Sequence, residues 1–562
     1  MSQKTKILFL DLNAGIFPHS LQALKVVSQF DSESIEVEHL ACGASIPGTC
    51  PVKESRGRSS GTKTLAQKLD CFDCQFTART IGNSLQAQKF VNPGEKNTKF
   101  LGPLGDSDVK LEESELRAIL EGDLDLDHVF LGSRVVRMAL YEWILKFKKR
   151  DLNPSGRTEE QYFEEFLRTS IRFSIHGERF FSGNSRPDVV ICHSPQYAAN
   201  NAFVTQATLQ GVPVFSLNGS DNFSEIESSS MIWEFGNHGL TRPDLSNWPG
   251  KQEVRASDGE LERVSKHLSQ LLDGRSPFVY SSTGNESEDL PQKYLDVLAL
   301  DSTVLMTLNS LDEVIAEHTL AQLTQIRYPG RVFSSQQDWV IETVEWFRER
   351  PNLGLIVRIH PRELPNRRDS VKSEQAVLWE SMERGLPDNV IIDHPDAKVP
   401  LAMLLERVDG LTTGWSSTAF QAILYDVPVV SYDKSLLGYP DDIHYTGTSK
   451  DQYFKNLAEL TSGNLVPDKQ GVKNWLVHTM ARGSVQLTGR LFSRLRLEGP
   501  KWVPRALNGI DRYFYWFWRP LEAWLTVRRT QDGRKVVDMV LGGRSNLYEK
   551  GKPSAASDAK RK

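Results

Sequence analysis

The chain predicts an α/β protein of two doubly wound domains facing a cleft, with extra helices. Three observations carry this. At 562 residues the chain exceeds what one ordinary core organises. Short apolar, β-branched runs alternate with segments of helical period, as parallel sheets require. Two of those runs end in His-Pro, at His360-Pro361 and His394-Pro395, which marks strand C-termini running into loops. Apolar content of 39%, charged content of 25% and net charge −5 fit a globular protein and give no general attraction to nucleic acid.

In chain order, Lys6 to Leu12 reads as a buried strand, followed by the loop NAGIFPHS and a helix from about Leu21 to Phe30, an opening βα unit. No G-x-G-x-x-G accompanies it. Asp11 and His19 flank the loop and are candidates for acid–base chemistry, with an Asx-turn and a surface imidazole as the structural alternatives. Four of the five cysteines then cluster at Cys42, Cys50, Cys71 and Cys74. C-x2-C presents two ligands of a tetrahedral zinc site, although the first spacing is off-pattern, and buried thiols or a redox pair are the other readings.

Residues 53–63 and 91–115 are polar and glycine-bearing and read as loops, and from Glu113 helical apolar spacing takes over. RPDVVICHSPQYAANNAFVTQATLQGVPVFSLNGSDNFSE reads as a βαβ unit: strand Asp188 to Cys192, a helix through Asn201 to Leu209, and strand Val212 to Leu217. Its loops place His193, Asn218, Ser220, Asp221 and Glu225 at the edge where ligands collect. Asp221 and Glu225 are the first candidates for a general base, ahead of Asp11 and His19.

The domain division expected is 1–240, a linker with one helix at 241–295, a second α/β domain at 296–470, C-terminal helices at 471–545 and a disordered tail at 546–562. The second domain opens with a strand at Ser302 to Leu308 and a helix from Gln337 to Arg350. It carries the densest pattern. GLIVRIHPRE begins at Gly354, NVIIDHP at Asn389, and a strand from Gly410 to Thr413 runs into WSSTAFQAILYDVPVVSYDK. Ser416 and Ser417 stand at a helix start, whose unpaired N–H groups attract anions; serine there also serves simply as an N-cap.

R-x-H-P followed by W-S-S-T-x-F-x-A-x-x-x-x-x-P-V-V resembles the C-terminal half of GT-B glycosyltransferases of the capsule-polysaccharide type. These include Kdo transferases of capsule and lipopolysaccharide assembly, sialyltransferases with HP and SS motifs and, more distantly, CDP-glycerol polymerases. The resemblance covers roughly residues 300–435. It implies two Rossmann-like domains, with the donor phosphate held by His360, Ser416 and Ser417; Pro361 and Thr418 belong to the same motifs, and Arg358 and Lys434 supply positive groups at the neighbouring strand ends. Asp393, His394 and Asp396 fall where a base or ribose would pass. The implied activity is metal-independent transfer from a nucleotide sugar, CMP-Kdo or a related CMP-sugar, to a glycan or lipid-linked glycan. A UDP-sugar transferase, a CDP-polyol phosphotransferase and a non-catalytic glycan-binding scaffold are the alternatives.

No apolar run reaches the length of a signal peptide core or membrane span, so a cytoplasmic protein is expected. RALNGIDRYFYWFWRPLEAWLTVRR interleaves aromatics with arginines. It reads either as an interfacial helix on the inner membrane face or as a closing helix returning to the first domain.

Overall fold

The computed structural model describes residues 4–46, 50–54, 65–183, 186–219, 229–235, 247–272, 290–310, 312, 315–316, 332–365, 371–414, 416–432, 440, 442–487, 515–526, 530 and 532–548. Six strands form the body of the first sheet: β1 (Thr5–Asp11), β2 (Ile35–Cys42), β3 (Lys99–Leu101), β4 (Val189–His193), β5 (Val214–Gly219) and β6 (Ser229–Glu234). The second sheet holds β7 (Ser302–Thr307), β8 (Leu353–Arg358), β9 (Val390–Asp393), β10 (Gly410–Thr413), β11 (Val429–Ser431) and β12 (Tyr445–Thr446). A last short strand, β13 (Val485–Gln486), returns to the first sheet.

The second sheet has the order β12-β11-β10-β7-β8-β9, and every pairing in it is parallel. Its chain runs outward from β7 to β9 and then crosses back to β10, so the strand order reverses between β7 and β10. The first sheet follows the same rule, running β3-β2-β1-β4-β5 in parallel and reversing between β1 and β4. The antiparallel β6 and β13 extend its far edge. Two doubly wound sheets of this order are the Rossmann-like pair of a GT-B architecture.

Both faces of each sheet are covered. Leu8, Leu10 and Val190 enter one core, while Ile7, Phe9 and Ile191 enter the core on the opposite face. In the second sheet Val304, Met306 and Val357 face one way, and Leu305, Ile356 and Leu411 the other. Continuous apolar strands of this kind are what parallel sheets buried on two sides require.

Several boundaries differ from the sequence reading. Residues 91–115 are not all loop, because Lys99–Leu101 is a strand and a helix begins at Asp106, with Asp106 and Asp108 favourably placed in its first turn. The first helix starts at Phe17 with Pro18 in its opening turn and ends at Val27. The segment after the paired serines is a helix only over Thr418–Ala422, then tightens into a 3-10 turn at Ile423–Tyr425. Asp426 in the left-handed region ends it.

The chain after β12 comes back to the first domain. Residues Val485, Leu487, Ala523, Val536, Met539 and Val540 are buried with Phe9, Phe17 and Val26 of that domain. Arg519, within helix Tyr515–Thr526, pairs with Asp73 at 2.8 Å.

Candidate functional site

Ligands of open parallel sheets bind outside the strand C-termini where the strand order reverses. In the second domain that crevice lies between the ends of β7 and β10. Asn309 and Ser310 follow β7. The Asn309 backbone N–H donates to Gln336 Oε1 at 2.7 Å, and Gln336 Nε2 donates back to the Asn309 carbonyl at 3.0 Å. Gly414 follows β10, where a Cβ would stand 2.5 Å from Asn309 Nδ2 and 3.2 Å from Tyr432 Cε1. Glycine here leaves room for the Asn309 amide and the Tyr432 ring. Thr413 Oγ1 accepts from Ser416 N at 3.4 Å, and Ser416 Oγ accepts from Thr418 N at 3.3 Å while contacting Thr418 Oγ1 at 3.0 Å. Ser416 and Ser417 are half-buried at the turn.

β8 and β10 flank β7, so the His-Pro loop and the Ser-Ser turn leave strands about 10 Å apart, two strand spacings. His360 is half-buried, and its Nδ1 accepts the Arg362 backbone N–H at 3.3 Å. That bond fixes the neutral tautomer, leaving Nε2 as the protonated nitrogen. Burial, together with the cations of Arg362 and Lys148, pushes His360 down to about 3. A neutral donor therefore stands at this strand end. Arg362 pairs with Asp312 at 2.6 Å, and the buried Glu363 accepts from Ser373.

Other predicted donor residues are engaged elsewhere. Arg358 binds Asp393 and the Val399 carbonyl, and Asp393 also accepts from Tyr294 at 2.8 Å. These groups tie β8 to β9 beneath the surface. His394, just after the outermost strand, lies 3.5 Å from Glu383, and Asp396 is exposed beside it. The structure thus brings His360, Pro361, Ser416, Ser417 and Thr418 around the β7 end and sets His394 and Asp396 on the sheet's flank. Lys434, Asp221 and Glu225 lie outside the described residues.

The first domain has its own crevice, between the ends of β1 and β4. His19 stacks on His193 with ring centroids 3.9 Å apart. His193 is held on both nitrogens: Nε2 meets Gln22 Oε1 at 2.9 Å and Nδ1 meets Ser194 Oγ at 2.7 Å. Ser194 takes the left-handed φ of 52°, uncommon for a residue with a Cβ. The ring nitrogens of His19 make no hydrogen bond among the described residues. Burial lowers His19 to about 4, and the Asp11 carboxylate opposes that effect. Asp11 itself is buried, accepting from Ser20 at 2.8 Å and facing His39 at 3.4 Å. Asn13 Oδ1 and Asn200 Oδ1, both buried beside this crevice, have no hydrogen-bond partner among the described residues.

The two domains meet beside the His-Pro loop. Lys148, at the end of helix Val135–Phe147, is buried and donates to the Arg362 carbonyl of the His-Pro loop and, at 3.5 Å, to the Val371 carbonyl. The Arg150 backbone N–H donates to Glu374 at 3.1 Å. Ala316, which follows β7, is buried in the core of the first domain. Sequence reasoning passed over Lys148 and Asn309, because a lysine closing a helix and an asparagine after a strand look like ordinary surface residues. Their role depends on which loop each one meets.

The four clustered cysteines surround one cavity of about 20 Å³ with Leu12, Ile46 and Asp70. Gly15 N–H points to Cys74 Sγ at 3.2 Å, and burial raises the Cys42 and Cys74 thiols. Among the described residues no three His, Cys, Asp or Glu side chains stand in metal-holding geometry, so the zinc expectation gains no support.

No protein-family profile and no curated protein matches the chain. Solved structures show distant likeness. KpsC of Thermosulfurimonas dismutans, described as a beta Kdo 2,4 transferase, is 10% identical with a TM-score of 0.30, over 55% of this chain and 84% of its own. The UDP-GlcNAc 2-epimerase of Methanocaldococcus jannaschii is 11% identical with a TM-score of 0.27, over 84% of this chain and 98% of its own. S. aureus MnaA, solved with UDP, is 11% identical with a TM-score of 0.24, over 91% and 98%. Likeness at this level carries no argument about activity, and the architecture rests on the strand orders themselves.

Proposed function

We propose that this protein is a GT-B enzyme that transfers a sugar from a nucleotide donor, CMP-Kdo or a related CMP-sugar, to a growing surface glycan. The observation that carries the reading is the presence of two switch-point crevices, one per domain, in domains that touch at the Lys148–Arg362 contact. A nucleotide and an acceptor would occupy one each.

In the second domain the neutral His360 donates Nε2–H to the donor phosphate, and the Ser416 and Ser417 hydroxyls meet it from the other side of β7. As the glycosidic bond breaks, charge grows on that phosphate, and preplaced donors stabilise it most at the transition state. In the first domain His19 accepts the proton of the attacking hydroxyl. Its ring is held in place by stacking on His193, which Gln22 and Ser194 lock. Arg358 and Asp393 serve by holding the strand that carries His360.

The direct test is to incubate the purified protein with CMP-Kdo and follow CMP release with and without a glycan acceptor. Acceptor-stimulated release supports the reading. Absence of release across CMP-, UDP- and CDP-linked donors would overturn it in favour of a binding scaffold.

A further inference from the structure

We infer that the crevice of the first domain takes an uncharged, hydroxyl-rich sugar residue, held by the side-chain amides of Asn13 and Asn200; naming that sugar the acceptor rests on the transferase reading above. The stacked rings of His19 and His193 draw the loop after β1 against the loop after β4. Asn13 stands in the first loop, and Asn200 is tied to the second. Asn200 Nδ2 donates to the His193 carbonyl and to the Ser194 carbonyl, each at 3.1 Å. Both of its N–H groups are thereby used, so the amide has one orientation and Oδ1 is left as an acceptor. Asn200 is 2% exposed and Asn13 8%, and neither Oδ1 has a hydrogen-bond partner among the described residues. Gln196 Oε1, in the loop after β4, is a third buried amide oxygen without one. Buried acceptors left unmet are costly, and a ligand that brings donors relieves them.

The character of these groups decides the ligand. Residues 12–20 and 193–201, which form the two loops and the helix starts after them, contain no Asp, Glu, Lys or Arg. The start of helix Ala198–Leu209 would favour an anion, but Glu142 already occupies it, its carboxylate accepting from the Ala198 backbone N–H at 3.2 Å. Burial lowers both His19 and His193, so neither ring carries a positive charge at neutral pH. A carboxylate or phosphate entering here would give up its water to face amide oxygens and a fixed carboxylate. A sugar hydroxyl brings the hydrogen that those oxygens lack.

The test is saturation-transfer NMR and calorimetry of the full-length protein with methyl glucoside, methyl galactoside and methyl N-acetylglucosaminide, set against methyl glucuronide, which differs from the glucoside only by its carboxylate. The best neutral glycoside should bind at least about fivefold more tightly than the glucuronide. Asn13→Leu should weaken it about fivefold, the worth of one neutral hydrogen bond, with CMP affinity unchanged. If Asn13→Leu does not fold, Gln196→Met carries the comparison. Glucuronide bound as tightly as the neutral glycosides, no glycoside bound at millimolar concentration, or a folded variant that binds as the parent does would each overturn the inference. CMP titrated into the same samples keeps the two readings apart. Neutral glycoside binding without CMP binding removes the transferase reading and leaves the sugar crevice, whereas CMP binding with a preference for glucuronide removes the crevice inference alone.

Discussion

Lys148 of the first domain donates its ammonium to the main-chain carbonyl of Arg362, inside the His-Pro loop of the second. The lysine is 1% exposed, and its backbone takes a left-handed φ of 52° to close its helix. Lys148→Met keeps the apolar stem and removes the donor that two half-buried carbonyls share, which should cost about 1–3 kcal/mol. Thermal unfolding and an acceptor-dependent transfer assay will check this, with lower stability and slower transfer expected together. An unchanged melting temperature would show that the domains are held by other contacts.

Gly414 and Asn309 approach each other where the loops after β10 and β7 meet. Because a Cβ on residue 414 would stand 2.5 Å from Asn309 Nδ2 and 3.2 Å from Tyr432 Cε1, Gly414→Ala must displace the Asn309 amide. Overpacking of this kind costs typically about 1–3 kcal/mol. The loss should appear in nucleotide affinity more than in the melting temperature, and calorimetry beside thermal unfolding separates the two.

His19→Ala removes the proposed base and leaves the nucleotide crevice untouched. Turnover should fall by roughly 10²–10⁴, the usual contribution of general base catalysis, with donor affinity unchanged. Turnover within a few fold of the parent would move the base elsewhere, including to Asp221 or Glu225.

Burial lowers His267 to about 4 and His444 to about 3, the latter opposed by Asp468. In the unfolded chain both titrate near the ordinary value of about 6.5. Below that pH the unfolded state takes up protons that the folded state refuses, so stability is full above about 6.5 and falls as the pH drops toward 4. The slope should be about 1.4 kcal/mol per pH unit for each such histidine. Urea unfolding at pH 7.5, 6 and 5 measures it, and a flat profile would contradict the burial argument.

The sequence made the strands legible because apolar runs such as Leu355 to Ile359 are closed by proline, and Ser416 and Ser417 do sit at a turn into a helix. It was less informative about partners. Arg358 lies two residues before His360 in the R-x-H-P pattern, and its pairing with Asp393 and the Val399 carbonyl follows from the β8–β9 register, which local pattern does not specify. His193 was legible as a cleft residue, but its stacking on His19 depends on strands β1 and β4 being neighbours, which local pattern does not specify. The early onset of helix Asp106–Glu121 was hidden by its charge, since an acidic first turn reads as loop until the helix dipole is considered.

The most direct test of the central claim is calorimetry of CMP, CDP, UMP, UDP and GDP against the intact protein and two variants, His360→Ala and the double change Ser416→Ala with Ser417→Ala. Selective, metal-independent binding of CMP, weakened about tenfold or more in each variant with the fold intact, is the predicted result; losing one charge-assisted hydrogen bond is worth about 1.5–3 kcal/mol. Nucleotide affinity unchanged in both variants, or no nucleotide binding at all, would contradict the account.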